Sequence, residues 1–286
     1  MYDVIKMKSI AAELNDRTFT DYYYRLMLMA RSVFEWTGLP NGIDEKWIER
    51  YLFTDGKCMF FEDPEKGFMV TKCVPAGTLN FYDEPTLIRA FGTNYNGPEL
   101  ENGEEAILIR NNDEMIPTAP TIQLYALRLA ELSRTIDINI HAQKTPILIK
   151  CSDKQRMTLK QVYKQWNGFE PVIFGDKDLT SEGMEVFNVD APIVFDKLQI
   201  QKHEVWNEVM TYLGINNANM DKRERLVDDE VQANNEQIEL SANVMLKARE
   251  RACELINEKF GLNVQVKLRK PQRVITEDLG GGSYDE

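Results

Sequence analysis

Residues able to do chemistry concentrate in one stretch of this chain, and their arrangement argues against catalysis. From Ile215 to Asn235 the sequence reads INNANMDKRERLVDDEVQANN, with Lys222, Arg223 and Arg225 close together and Asp228, Asp229 and Glu230 just behind them. Three neighbouring acids invite comparison with a two-metal nuclease. Adjacent carboxylates in a loop point in different directions, however, whereas two-metal sites gather theirs from separate elements. The basic cluster suits weak contact with a polyanion and equally suits a solvated connector. Loops beyond roughly 12–15 residues are uncommon in compact domains and tend to be functional or disordered. Both readings stay open on composition alone.

Other catalytic patterns are missing. His141 and His203 are the two histidines, and neither has a cysteine or carboxylate at ligand spacing. Cys58, Cys73, Cys151 and Cys253 are scattered and are expected as free thiols. The chain has no G-x-x-x-x-G-K-[ST], H-E-x-x-H or G-x-S-x-G. Its glycine run, Gly280 to Gly282, precedes no helix. Asp113 and Glu114 precede a helix start, where negative charge is favourable in any case. No cofactor, metal or catalytic residue is expected.

Size and charge narrow the function further. The 286 residues carry 34 basic and 46 acidic side chains, a formal net charge of −12. Such a chain does not grip DNA tightly as a monomer, because non-specific affinity comes from neutralising phosphates. No apolar run approaches the ~18–20 residues of a membrane span. The opening MYDVIKMKSIAAELNDR lacks the apolar core of a secretory signal, so none is expected.

The elements that must position these residues are legible from periodicity. A first helix is expected from Thr18, with Tyr22, Leu26, Met29 and Val33 on one stripe and Gly38–Leu39–Pro40 ending it. A short helix follows from Asp44, an N-cap, to Gly56. Residues 57–112 read as short strands at the spacing of a small barrel or meander: KCMFF and GFMVTKC flank the turn EDPEKG, with GTLNFY, TLIRAFG and EEAILIR further on. TNYNGPELENG reads as a loop. A long helix runs from Pro117 to His141 behind Thr118, with Ile122, Tyr125, Leu129, Leu132, Ile136 and Ile140 on one stripe. Leu124, Leu127 and Ile138 form a second stripe, and a helix apolar on two sides needs two partners. Strands at 146–149 and 171–174 flank a helix from Leu159 to Trp166. Two more helices follow. One carries Leu198, Val205, Val209 and Leu213 and stops at Gly214; the other carries Ile238, Ala242, Met245, Ala252 and Ile256 and stops at Gly261. Leu262 to Arg269 alternates as a half-buried strand, and the tail PQRVITEDLGGGSYDE is expected to be loose. The whole reads as one extended α+β subunit.

In order along the chain stand FEWTGLP (Phe34 to Pro40), NND with PTAPT (Asn111 to Thr121), AQKTPILI (Ala142 to Ile149), and LKQVYKQW with PVIF (Leu159 to Phe174). Next come EVFNVDAP (Glu185 to Pro192), VWNEVMTYLGINNAN (Val205 to Asn219) and ACELINEKFGLNVQVK (Ala252 to Lys267). This ordered set resembles the upper collar (portal, head–tail connector) proteins of phi-29-like short-tailed phages. The resemblance implies an α+β fold in which long helices line a channel, with an inserted small β-barrel-like (SH3-like) segment and an α/β wing, assembling into a ring. It divides the chain into N-terminal helices at 1–56, a β-rich wing insertion at 57–112, and a long helix, α/β wing and channel helix at 113–214. Residues 215–235 become a channel loop, 236–270 a crown-side helix and strand, and 271–286 a flexible tail.

The implied function is structural. Twelve copies would form a ring at one capsid vertex of the virion after assembly in the host cytoplasm. Double-stranded DNA would pass through the ring, driven by a separate packaging ATPase, and the ring would meet major capsid and scaffold proteins and then lower collar and tail proteins. The family's basic channel positions fall on Lys197, Lys222 and Arg223, with Arg225 beside them, while a further family lysine falls on Asn188. Relatives use a basic N-terminal arm to contact a packaging RNA. Here Lys6, Lys8 and Arg17 are offset by Asp3, Glu13 and Asp16, so no such grip is expected. The competing readings are another neck or tail adaptor ring and, more remotely, a metal nuclease built on the acidic loop.

Overall fold

The computed structural model describes residues 2–92, 94–143, 147–149, 184–186, 192–216 and 228–269. The chain forms two compact units: residues 1–129 with 205–286, and residues 130–204. Sequence alone reads as a single subunit because the division falls inside two unbroken helices, with no Pro- or Gly-rich linker to mark it.

The larger unit opens with α1 (Tyr2–Arg31). Helix therefore begins well before Thr18 and ends before Gly38. Tyr22, Leu26 and Ala30 face inward, whereas Phe34–Thr37 leaves the helical pattern to form β1. Its antiparallel partner is β9 (Gln265–Leu268), with Trp36 opposite Val266. Gly38 ends β1 at φ +72°, and a Cβ there would lie 1.9 Å from the Asn263 carbonyl oxygen. Helix α2 (Glu45–Asp55) starts as expected, with the Asp44 carboxylate accepting from the Lys46 amide. It ends at Gly56 in the left-handed region, at φ +73°, with the Met115 carbonyl oxygen 1.9 Å from where a Cβ would stand.

Five antiparallel strands follow: β2 (Lys57–Asp63), β3 (Gly67–Leu79), β4 (Pro85–Gly92), β5 (Tyr95–Glu101) and β6 (Ala106–Arg110), in the order β5-β4-β3-β2-β6. The sheet is open, so the barrel-like insertion implied by the resemblance is corrected to an open five-stranded antiparallel sheet. The long strand β3 joins the sheet's two halves, pairing residues 67–71 with β2 and residues 72–79 with β4. Met59, Phe61, Cys73, Ile88, Ala90, Ala106 and Leu108 pack on one side. On the other, Phe60 and Phe68 meet Phe260, with ring centroids 5.4–5.6 Å apart. Being buried on both faces, β2 reads as a continuous apolar run. The segment expected as a loop contains β5, an edge strand, where Pro98 needs no ladder partner for its nitrogen.

Helix α3 (Ala119–Gln143) begins where the Thr118 carbonyl accepts from the Ile122 amide. Strands β7 (Ile147–Ile149) and β8 (Met184–Val186) pair antiparallel in the smaller unit. Helix α4 (Phe195–Tyr212) stops at Gly214, φ +73°, and α5 (Asp228–Phe260) stops at Gly261, φ +65°. The long loop is thereby shortened: Asp228, Asp229 and Glu230 are the first turn of α5. The expected helix at 159–166, the strand at 171–174, Cys151 and the tail lie outside the described residues.

One buried cluster ties the larger unit together. Arg249 of α5 is 2% exposed and uses all five guanidinium N–H donors. Nε and Nη2 donate to the two Glu49 carboxylate oxygens of α2, at 2.9 and 2.8 Å. Nη1 donates to the Asn111 and Met245 carbonyls, and Nη2 donates also to Asn111 Oδ1. The guanidinium lies 4.0 Å from the centre of the Phe34 ring. Glu49 accepts in addition from Trp36 Nε1, while the Asn111 amide donates to Thr118 Oγ1 and the Ile116 carbonyl. Breaking such a pair on one side leaves a buried charge. We expect Arg249→Met to lower unfolding free energy by about 3–5 kcal/mol. Glu49→Gln/Arg249→Met should recover part of that loss, because no charge then remains buried. Urea unfolding of the two variants measures both effects.

Candidate channel surface and subunit interfaces

Lys197 is the one basic channel candidate among the described residues; Lys222, Arg223 and Arg225, with Asn188, lie outside them. It sits in the first turn of α4, exposed, with no ion pair to another described residue. The start of that helix is fixed by Asn139 of α3. The Asn139 amide donates to the Pro192 carbonyl at 3.0 Å, and its oxygen accepts from the Val194 amide at 3.2 Å. The Leu198 amide then closes the first turn on the Val194 carbonyl. An exposed lysine on a fixed helix start can offer a weak, exchangeable phosphate contact without a structural cost. His203, expected on the solvent side, is exposed and lies beside Gln199.

In the larger unit α3 and α4 meet where the Tyr125 and Tyr212 rings approach, with centroids 6.4 Å apart, and Ile122, Leu129, Val209 and Leu213 are buried. At the rim of this packing the Tyr125 hydroxyl donates to Glu208 at 3.0 Å, and Arg128 lies 3.9 Å from the other Glu208 oxygen. Burial, with the hydrogen bond to Glu208 added, pushes the Tyr125 phenol up to about 12. The second stripe expected on α3 is left uncovered: Leu124, Leu127 and Ile138 are 49%, 56% and 63% exposed. Ile140, from the first stripe, is exposed too.

The remaining candidates do not converge. Among the described residues no three His, Cys, Asp or Glu side chains come together to hold a metal ion. Cys58, Cys73 and Cys253 are free and buried, and burial pushes the Cys73 and Cys253 thiols up to about 12. Residues 2–17, expected as an arm, are the first half of α1. The sequence reading missed Arg249 altogether. Its signal was the gap at position 249 in the stripe Ile238, Ala242, Met245, Ala252, Ile256, where a seven-residue step skips one turn.

This architecture defines a phage portal fold. The chain is similar to one in the portal and tail of native bacteriophage P68, at 15% identity with a TM-score of 0.53, covering 95% of this chain and 92% of that one. It is also similar to an HK97 family phage portal protein from Corynebacterium diphtheriae, at 12% identity with a TM-score of 0.46, covering 90% and 94%. The family model described as Phage Connector (GP10) matches residues 4–273, and the chain belongs to that family.

One solution property follows from the α3–α4 pairing. The folded phenol of Tyr125 holds its proton to about pH 12 against 10.0 ordinarily. Its contribution is therefore fully present below pH 10 and is lost as pH rises toward 12. Thermal unfolding of the natural chain should show this alkaline loss, and Tyr125→Phe should remove the part that belongs to Tyr125.

Proposed function

We propose that this chain is the portal subunit, or upper collar, of a short-tailed phage. Copies of it, twelve by the resemblance, close a ring at one capsid vertex, and double-stranded DNA is packaged and ejected through the opening. The observation that carries the reading is the family match across residues 4–273, supported by a fold shared over nearly the whole chain. The five-stranded segment then belongs to the outer wing, and α3 and α4 lie toward the channel. A separate packaging ATPase supplies the work, in keeping with a sequence that lacks a P-loop. Capsid, scaffold and tail proteins bind the outside of the ring, and the N-terminal segment does not grip a packaging RNA.

In this reading the channel holds DNA on its axis without trapping it. A chain with net charge −12 repels phosphate on average. Lys197, together with Lys222, Arg223 and Arg225, returns a few weak contacts per subunit. Each phosphate neutralised makes binding more salt-sensitive, by about 0.9 in the logarithmic slope. Sparse contacts keep sliding fast.

Deleting residues 222–227, which stops short of α5, should leave the ring intact and impair retention or passage of DNA. Lys197→Ala should alter unfolding free energy by no more than about 0.5 kcal/mol while flattening the salt dependence of DNA binding to assembled rings. Packaging assays with electron microscopy of the deleted protein decide the first point. If the deletion abolishes the ring, the loop is structural and its assignment to the channel is wrong.

A further inference from the structure

We infer that neighbouring copies join through a parallel helix seam, the outer stripe of α1 in one copy against the outer stripe of α5 in the next. This rests on the ring reading above and assigns the surfaces that make the ring. The two helices bury their inner faces in one core. Tyr22, Leu26 and Ala30 of α1, and Ile238, Ala242, Met245, Arg249, Ala252 and Ile256 of α5, are all buried. Ala30, Met245 and Arg249 line the same interior cleft.

The opposite side of each helix is apolar and uncovered. On α1 it carries Leu14, Tyr24 and Leu28, which are 44%, 54% and 62% exposed. On α5 it carries Leu240, Val244 and Leu255, which are 68%, 55% and 40% exposed. At 100° per residue each set, with the charged residues inside it, falls within a stripe about 80° wide. Each stripe lies on the side of its helix away from this core, so the two are different surfaces of one subunit. A head-to-tail ring contact requires that geometry, since its two surfaces differ and each subunit presents both.

The stripes also match in register. Leu14 to Leu28 spans about 21 Å of helix and Leu240 to Leu255 about 22 Å. Side by side and parallel, Leu14 meets Leu240, Asp21 meets Lys247, Tyr24 meets Arg251 and Leu28 meets Leu255. The opposite direction also brings Asp21 to Lys247 but sets Arg17 against Arg251, like against like, so the arginines choose the parallel direction. Lys247 is exposed and makes no ion pair with another described residue. Asp21 pairs with Arg25 of its own helix, and Arg251 pairs with Asp113, both at the surface, where such pairs are worth little and exchange readily. Arg251 and Leu255 line a cleft of about 310 Å³ whose other walls include Ile107, Ala248 and Ala252 together with the charged Glu84 and Arg110. It gives the Tyr24 ring a pocket, with the Arg251 guanidinium able to lie over its face.

The test uses the full chain in sedimentation velocity, with thermal unfolding as the folding control. Asp21→Lys and Lys247→Asp, each alone, should shift the ring peak to monomer while the subunit still unfolds in one cooperative transition, at a lower temperature because assembly no longer stabilises it, and the combined variant should restore the ring. In a Cys151→Ser background, Leu28→Cys with Leu255→Cys should give a ladder of covalent multimers under mild oxidation, whereas either change alone should stop at dimer or below. If the natural chain forms rings and both single charge variants do too, or the cysteine pair gives no ladder, the seam lies elsewhere and the ring reading survives. If the natural chain sediments only as monomer, the ring reading falls and the seam with it.

Discussion

Everything in the larger unit depends on one buried ion pair. Arg249 and Glu49 stand 200 residues apart in sequence and hold a two-toothed contact with almost no access to water. Neither charge is tolerable alone at that depth. Each is made so by groups drawn from other elements: Trp36 and Phe34 from β1, Asn111 from the end of β6, and the Met245 carbonyl from α5 itself. Asn111 passes the constraint to Thr118, at the start of α3. The cluster therefore fixes where the N-terminal ribbon, the five-stranded sheet and the long helices begin relative to one another within this unit. An apolar core of similar volume would bind the same elements with less directional selectivity, since a fork of five donors admits one arrangement.

The parts legible in sequence were those governed by local rules. Asp44 and Gly56 bracket α2, and Gly214 and Gly261 end α4 and α5, because caps and left-handed residues are decided by their immediate neighbours. The buried stripe of α5 was legible for the same reason. What escaped depends on distant partners. Phe34–Thr37 looks like a continuation of helix until β9 is known to lie beside it. Tyr95–Glu101 has turn composition, and it becomes a strand only as the edge of a sheet whose other strands tolerate its proline. The barrel-like expectation failed because strand spacing does not say whether a sheet closes; here β5 and β6 end the order β5-β4-β3-β2-β6 without pairing to each other. The residues proposed for the channel stood apart from these rules. Lys197, Lys222, Arg223 and Arg225 entered through family resemblance, and only Lys197 lies among the described residues.

A rigid core with unsatisfied outer faces is a reasonable design for a subunit of a larger assembly. Apolar side chains remain uncovered on α1, α3 and α5, and at the β3–β4 turn, where Phe81 is 87% exposed. Surface of this kind is costly in a monomer and useful in an oligomer. The same chain is strongly acidic, with few basic positions in the segments assigned to the channel. Weak, repeated contact with a polyanion needs no deep pocket and no reactive side chain, and this chain belongs to the connector family.

The most direct measurement is electron microscopy with class averaging of the purified natural protein, without imposed symmetry. The account predicts rings with an open centre wide enough for a DNA duplex, with one repeated contact around the circumference. Compact monomers or closed two-fold dimers at micromolar concentration would contradict it.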